Sequence, residues 1–226
     1  MNLIPHQEPF PYLEIEDFYT EKELKLVWKE LDFLGANSAS KLSTPENSGG
    51  AINLETGEML KSNKSIFLEA YYGHRDYSEI LKLSPKFYEK KIQEALVELH
   101  PFYRAHLSIN RDLILVSYYE NGDYYKRHVD RYVFSTTLWL HKEPKAFVGG
   151  DFIMSDYGYI FEPRNNCGVI LPSSVAHEVT PIVMAPEEET MGRFSITNFA
   201  TIVDFNLQET YQDLPGVLGA GFNEKI

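Results

Sequence analysis

From residue 112 onward the chain is cut into short β-type segments, each closed by a turn signal. The segments are residues 113–119, 133–140, 151–154, 158–161, 168–171, 178–183 and 193–202. Asn121-Gly122, Gly149-Gly150, Pro163 and Pro172 punctuate them. Several short strands at spacings of about 8–12 residues predict a sandwich or barrel.

The first half reads differently. Residues 12–18 are short and strand-like. Thr20 and Glu23 form an S/T-x-x-E capping box, and Leu24, Val27, Trp28, Leu31 and Leu34 then recur at helical spacing. Ser84-Pro85 suits an N-cap and first helical position, leading into Phe87, Ile92, Leu96 and Leu99. His100-Pro101 closes that helix, because the residue before proline is pushed out of the α region. Residues 35–65 between the helices are rich in Ser, Asn, Gly, Thr and Lys. Ser48-Gly49-Gly50 and Glu55-Thr56-Gly57 break any periodicity. They read as a surface loop with a hairpin, or as a mobile lid. The expected fold is mainly β with supporting helices (α+β), in one domain over residues 1–226. Residues 1–111 supply the helical support and lid loop, 112–202 the β core, and 203–226 a C-terminal tail.

Charge and cysteine usage narrow the function. With 33 acidic and 21 basic side chains, the net charge of −12 argues against a nucleic-acid partner, whose phosphates need Lys and Arg. The single cysteine, Cys167, cannot form an intrachain disulfide and reads as a buried structural thiol. Residues 1–18 lack the basic and apolar regions of a signal peptide. No apolar stretch approaches the roughly 20 residues that span a membrane. A cytoplasmic location with no membrane partner is expected.

The chemistry starts at His128-Val129-Asp130. On a strand, residues i and i+2 share a face, so imidazole and carboxylate converge. His-x-Asp alone is a weak signal and needs its context. His177 follows at the start of a strand candidate, and Arg193-Phe194-Ser195 puts Arg and Ser on one face of another. Two imidazoles and one carboxylate form a facial triad suited to non-haem Fe(II). A guanidinium fork binds a carboxylate through two parallel hydrogen bonds. Together these groups make a site for iron plus a dicarboxylic cosubstrate.

That order of residues is similar to the 2-oxoglutarate- and Fe(II)-dependent oxygenases, whose core is a double-stranded β-helix (jelly roll). More closely, Tyr119-x-x-Gly122-x-x-Tyr125-x-x-His128-x-Asp130 resembles the prolyl 4-hydroxylase branch. Gly149-Gly150-Asp151-Phe152 resembles that branch's G-G-E/D turn, and Pro172 with His177-Glu178-Val179-Thr180-Pro181 resembles its second-histidine stretch. The resemblance covers residues 112–202. The chain departs from it in a wider gap between His177 and Arg193, where residues 185–190 read as a charged surface loop. It also carries Arg193 where collagen-type enzymes use lysine, which resembles the intracellular oxygen-sensing and bacterial branches.

The resemblance implies Fe(II) held by His128, Asp130 and His177, with 2-oxoglutarate and dioxygen as cosubstrates and ascorbate as reductant. The far carboxylate of 2-oxoglutarate would meet Arg193 and Ser195, with Tyr119 and Thr137 on the cosubstrate side. Tyr125 and Trp139 would face the substrate; core packing is the competing reading for Tyr119, Tyr125 and Trp139. The implied reaction hydroxylates a prolyl residue in a protein or peptide and releases succinate and CO2. A same-family oxygenase acting on a free amino acid or metabolite is one alternative. A non-catalytic jelly-roll binding protein is another, and the intact His, Asp, His and Arg set speaks against it. His6, His74, His100, His106 and His141 read as structural or surface residues.

Overall fold

A computed structural model describes residues 1–35, 40–48, 52–53, 55–185 and 191–203. The elements run β1 (Asn2–His6), β2 (Tyr12–Glu16), α1 (Glu21–Leu34), β3 (Lys64–Phe67), α2 (Leu68–Tyr71), α3 (Glu79–Leu83) and α4 (Lys90–Leu99). The β series follows: β4 (Arg111–Tyr119), β5 (Tyr125–His128), β6 (Phe134–His141), β7 (Phe147–Gly149), β8 (Phe152–Met154) and β9 (Tyr159–Phe161). It closes with β10 (Cys167–Pro172), β11 (His177–Val179), β12 (Ile182–Met184) and β13 (Arg193–Thr201).

A seven-stranded sheet in the order β1-β2-β10-β6-β13-β4-β3 faces a four-stranded sheet, β5-β11-β8-β9, with β12-β7 as a separate pair. Every pairing is antiparallel. This is the jelly-roll core with helical support. The first 111 residues give three strands to the large sheet as well as the helices. Among the described residues no helix is long and apolar enough to cross a membrane.

Strand alternation sorts the large sheet into two faces. Leu13, Ile114, Val116, Leu138, Ile170, Phe194 and Ile196 meet the apolar stripes of α1 (Val27, Leu31, Leu34) and α4 (Ile92, Leu96, Leu99). Tyr12, Tyr119, Trp139, Val169 and Leu171 face the barrel interior with Phe147, Phe152, Met154 and Ile182. Each fully buried large side chain contributes about 1.5–3 kcal/mol, so the helices stabilise the large sheet by covering its outer face. The Thr20 capping box forms: Glu23 N donates to Thr20 Oγ1, and the Glu23 carboxylate accepts from Thr20 N. Cys167 is buried, and burial with the neighbouring Glu14 carboxylate pushes its thiol up to about 12, an inert state.

Three expectations need correction. Ser84 does not start the second long helix. It is itself helical, and its hydroxyl donates to the Leu81 carbonyl, capping α3. A short 3-10 turn, Ser84–Tyr88, then breaks at the extended Glu89 before α4 begins at Lys90. The expected strand at 178–183 divides into β11 and β12, which lie in different sheets. Pro181 has no N–H for a ladder, and Ile182 N donates instead to the Asp123 carbonyl.

The third correction concerns residues 35–65. The hairpin is present: Ile52 bridges Met59 around a turn with Gly57 at φ +71°. The end of the segment is no loose loop, because Ser43 bridges Ser65, Lys61 bridges Tyr125, and Lys64 opens β3. Gly49 and Gly50 lie outside the described residues, as do 186–190 of the expected charged loop and 204–226 of the expected tail.

Candidate active site

The adjacent strands β5 and β11 pair with His128 opposite His177. Their rings stand 4.3 Å apart at 60°. Asp130 is not on the strand that bears His128, as the i, i+2 reading assumed. β5 ends at His128, and the chain bends so that Asp130 N donates to the Ser173 carbonyl at 3.0 Å while Val129 points to solvent. The bend, rather than pleat alternation, brings the carboxylate in.

The three groups converge. Asp130 Oδ1 lies 3.7 Å from His128 Nε2, and Asp130 Oδ2 lies 3.6 Å from His177 Nε2. All three ligand atoms fall within 4.8 Å of one another. Each imidazole is oriented from behind. His128 Nδ1 donates to the Lys126 carbonyl and His177 Nδ1 to the Val175 carbonyl, both at 2.9 Å. Those bonds leave each Nε2 lone pair facing the centre. Ser135 Oγ donates to Asp130 Oδ2 at 2.6 Å and contacts Ser173 Oγ at 2.8 Å. Burial, then the adjacent His177, pulls the His128 imidazole down to about 4, so it is neutral at pH 7. Neutral imidazole and carboxylate are the forms that bind a divalent metal.

The carboxylate fork lies on the next wall. Arg193, Ser195 and Thr197 alternate on the interior face of β13, and Arg193 pairs directly with Tyr119 of β4. The guanidinium is 1% exposed. Its Nη1 donates to the Gly150 carbonyl, while Nε and Nη2 have no hydrogen-bond partner. Nε and Nη2 form the edge that grips a carboxylate bidentately. Burial pulls this group down to about 10, leaving it charged at neutral pH. Its carbon lies 4.9 Å over the Tyr119 ring, whose phenol burial pushes up to about 12.

The remaining expected residues divide. Ser195 shares the Arg193 face. The Thr137 hydroxyl lies 3.3 Å from that of Thr197. The Tyr125 ring is stacked on His128 at 3.6 Å. Trp139 is buried against Phe152 and Phe161, behind the Phe152 ring that stacks on His177, so it is a wall residue. Ser135, Ser173, Thr197, Lys61 and Asn63 escaped sequence reasoning. The serines act through pairings distant in the chain. Lys61-x-Asn63-x-Ser65 does alternate, but a polar alternation reads as solvent-facing.

His128, Asp130 and His177 could hold a metal ion, and the unpartnered edge of Arg193 could accept a carboxylate beside it. Residues 114–201 match the 2OG-Fe(II) oxygenase superfamily. That match implies Fe(II), 2-oxoglutarate and dioxygen, and the three ligands and Arg193 suit them. The chain is similar in structure to a prolyl-4-hydroxylase of Pseudomonas putida, at 17% identity and TM-score 0.56, over 85% of this chain and 93% of that one. It is also similar to a viral collagen prolyl hydroxylase from Paramecium Bursaria Chlorella virus-1 in its 2OG complex, at 12% and 0.50, over 84% and 96%. An oxidoreductase of the 2OG-Fe(II) oxygenase family from Burkholderia pseudomallei gives 13% and 0.52, over 84% of each chain. At these identities the likeness bears on fold. No curated protein matches the chain.

Proposed function

We propose that this chain is an Fe(II)- and 2-oxoglutarate-dependent dioxygenase that hydroxylates a prolyl residue in a protein or peptide, releasing succinate and CO2. The observation that carries the dioxygenase reading is the unpartnered Nε and Nη2 edge of buried Arg193 beside the His128, Asp130 and His177 cluster. A metal site alone needs no such fork. The prolyl substrate is supported by the Tyr119 to Asp130 motif and by the prolyl hydroxylases among the structural neighbours.

His128, Asp130 and His177 would hold the metal, and Arg193 the far carboxylate of 2-oxoglutarate. Bound iron supplies dioxygen activation coupled to decarboxylation of 2-oxoglutarate, leading to hydroxylation of a C–H bond. The protein orients and excludes. Ser135 fixes the Asp130 carboxylate, the two backbone carbonyls fix the imidazoles, and the Phe152 and Trp139 rings keep water from behind His177. Ascorbate would keep the metal reduced. A reducing cytoplasm suits the lone buried thiol of Cys167.

Succinate release and one-oxygen mass gain test the proposal, measured with Fe(II), ascorbate, 2-oxoglutarate and proline-containing peptides. The expected result is peptide-stimulated succinate and a hydroxylated peptide, both lost in Asp130→Ala together with metal content. Near-wild-type metal binding and turnover in that variant would overturn the triad. Metal and 2-oxoglutarate binding without succinate would favour a binding protein.

A further inference from the structure

A buried ammonium stands in the barrel wall with no anionic partner among the described residues. Lys61, Asn63 and Ser65 alternate on one side of the segment that enters β3, at 4%, 0% and 0% exposure. Register places that side in the barrel. Ser65 pairs with Ser117, and Ser117 pairs with Ser195 on the face that carries Arg193. Lys61 Nζ donates to Ser65 Oγ at 2.7 Å and lies 6.0 Å from the centre of the Tyr125 ring. That ring covers His128. The ammonium therefore stands one aromatic ring from a metal ligand.

Its hydrogen bond goes to a neutral hydroxyl rather than to a counter-charge. An ammonium carries three donors, and Ser65 takes one. Lys61 forms no ion pair among the described residues, and its shift has burial as its only cause, which pulls it down to about 8. Next to it Asn63 Oδ1 is buried with no hydrogen-bond partner. Burying a cation without a counter-charge is costly. A methionine would fill the same space without that cost, so a purely structural role does not explain the residue. The cosubstrate does not answer the need either. In the proposed function its far carboxylate goes to Arg193.

The sequence around His128 and Asp130 also carries cations. Lys126, Arg127 and Arg131 flank the ligand pair His128 and Asp130 on a protein of net charge −12. Lys126 and Arg127 are paired with Glu58 and Asp156, while Arg131 is exposed and forms no ion pair among the described residues. A buried cation held by a neutral hydroxyl beside the candidate site is arranged for an anionic ligand.

We propose that Lys61 anchors a carboxylate of the primary substrate, with Asn63 Oδ1 accepting an N–H of the same molecule. The substrate class is then a prolyl compound with a carboxylate close to the oxidised ring. The carboxylate comes either from an acidic residue beside the proline in a peptide or from the α-carboxylate of the free imino acid. This inference rests on the dioxygenase reading and narrows its substrate.

The holoenzyme with Fe(II) and 2-oxoglutarate is offered two pairs of probes. One pair is proline peptides flanked by Glu or by Gln; the other is L-proline and L-prolinamide. One-oxygen products are read by mass spectrometry, and the Kd for 2-oxoglutarate is read anaerobically. The carboxylate-bearing member of one pair is expected to be favoured in kcat/KM by about tenfold or more, and the pair that responds identifies the source. Lys61→Gln should erase the preference and Lys61→Arg keep it, with the Kd for 2-oxoglutarate within about twofold of wild type. Lys61→Met, which keeps the apolar stem, reads the same way should the Gln variant not fold.

Equal use of charged and neutral probes overturns the inference alone, as does a preference that survives in Lys61→Gln. A large loss of 2-oxoglutarate affinity in that variant also overturns it, because Lys61 would then serve the cosubstrate. Products from no probe, with 2-oxoglutarate bound, overturn the prolyl reading and the inference together. Failure of the wild type to bind 2-oxoglutarate overturns the dioxygenase reading itself.

Discussion

At the scale of single residues, Arg193 and His106 make opposite use of burial. Arg193 keeps its charge and leaves two donors waiting. Truncating one partner of a buried charge pair costs on the order of 2–5 kcal/mol. Arg193→Ala should therefore weaken 2-oxoglutarate binding by about thirtyfold or more, with metal affinity changed far less. Arg193→Lys keeps the charge, loses the fork, and should fall between. Anaerobic titration followed by the metal-to-ligand charge-transfer band reads both quantities, and an unchanged affinity in Arg193→Ala would move the carboxylate anchor elsewhere.

His106 instead gives up its charge. Packed between Tyr88 and Phe134, its imidazole is pulled down by burial to about 4 from an ordinary 6.5. The unfolded chain therefore binds the extra proton between those values, and stability falls as pH drops through that window. At pH 5 the loss is about 2 kcal/mol relative to pH 8. Urea unfolding of wild type and His106→Phe across pH 8 to 5 should show the variant losing that much less. Parallel curves would refute it.

At the scale of elements, the Gly149-Gly150 turn is the tightest fit. Both residues have positive φ, and a Cβ on Gly149 would stand 2.2 Å from the Pro181 carbonyl oxygen. Gly149→Ala must push β7 off β12, at a cost of about 1–3 kcal/mol. A Tm drop of roughly 2–12 °C with weaker 2-oxoglutarate binding is the expected readout; an unshifted Tm would show that the turn can relax. The glycine pair was legible in the sequence because positive φ leaves few alternatives. So was the capping box of α1, whose signal lies within four residues. His128, His177 and Arg193 were legible through their order and strand context.

What stayed hidden was set by partners far along the chain. β3 and β7 are short, and each exists by pairing with a strand whose distance in sequence gives no local cue. Ser84 carries every mark of a helix start, yet α3 had already claimed it. Lys61 looked like part of a polar loop until the register of β3 turned it inward.

At the scale of the whole molecule, the helices and the barrel are two sides of one sheet. Residues such as Val116, Leu138, Phe194 and Ile196 are buried by α1 and α4. A chain of residues 112–203 alone would expose that face and lose β2 and β3 from the sheet. It should be insoluble or molten and should bind no metal in its three-ligand site. A soluble, cooperatively unfolding fragment would show that the core is a separate unit.

Pro181 ties this architecture to the chemistry. Its carbonyl accepts from Gly150 N at 3.3 Å, and the Gly150 carbonyl in turn accepts from Arg193. The second histidine and the guanidinium fork are thus fastened to one knot of backbone. Where two ligands are coupled through such a support, each changes the other's affinity by the same factor. A substitution that loosens Pro181 would therefore be felt on both walls of the candidate site at once, although it touches neither His177 nor Arg193 directly.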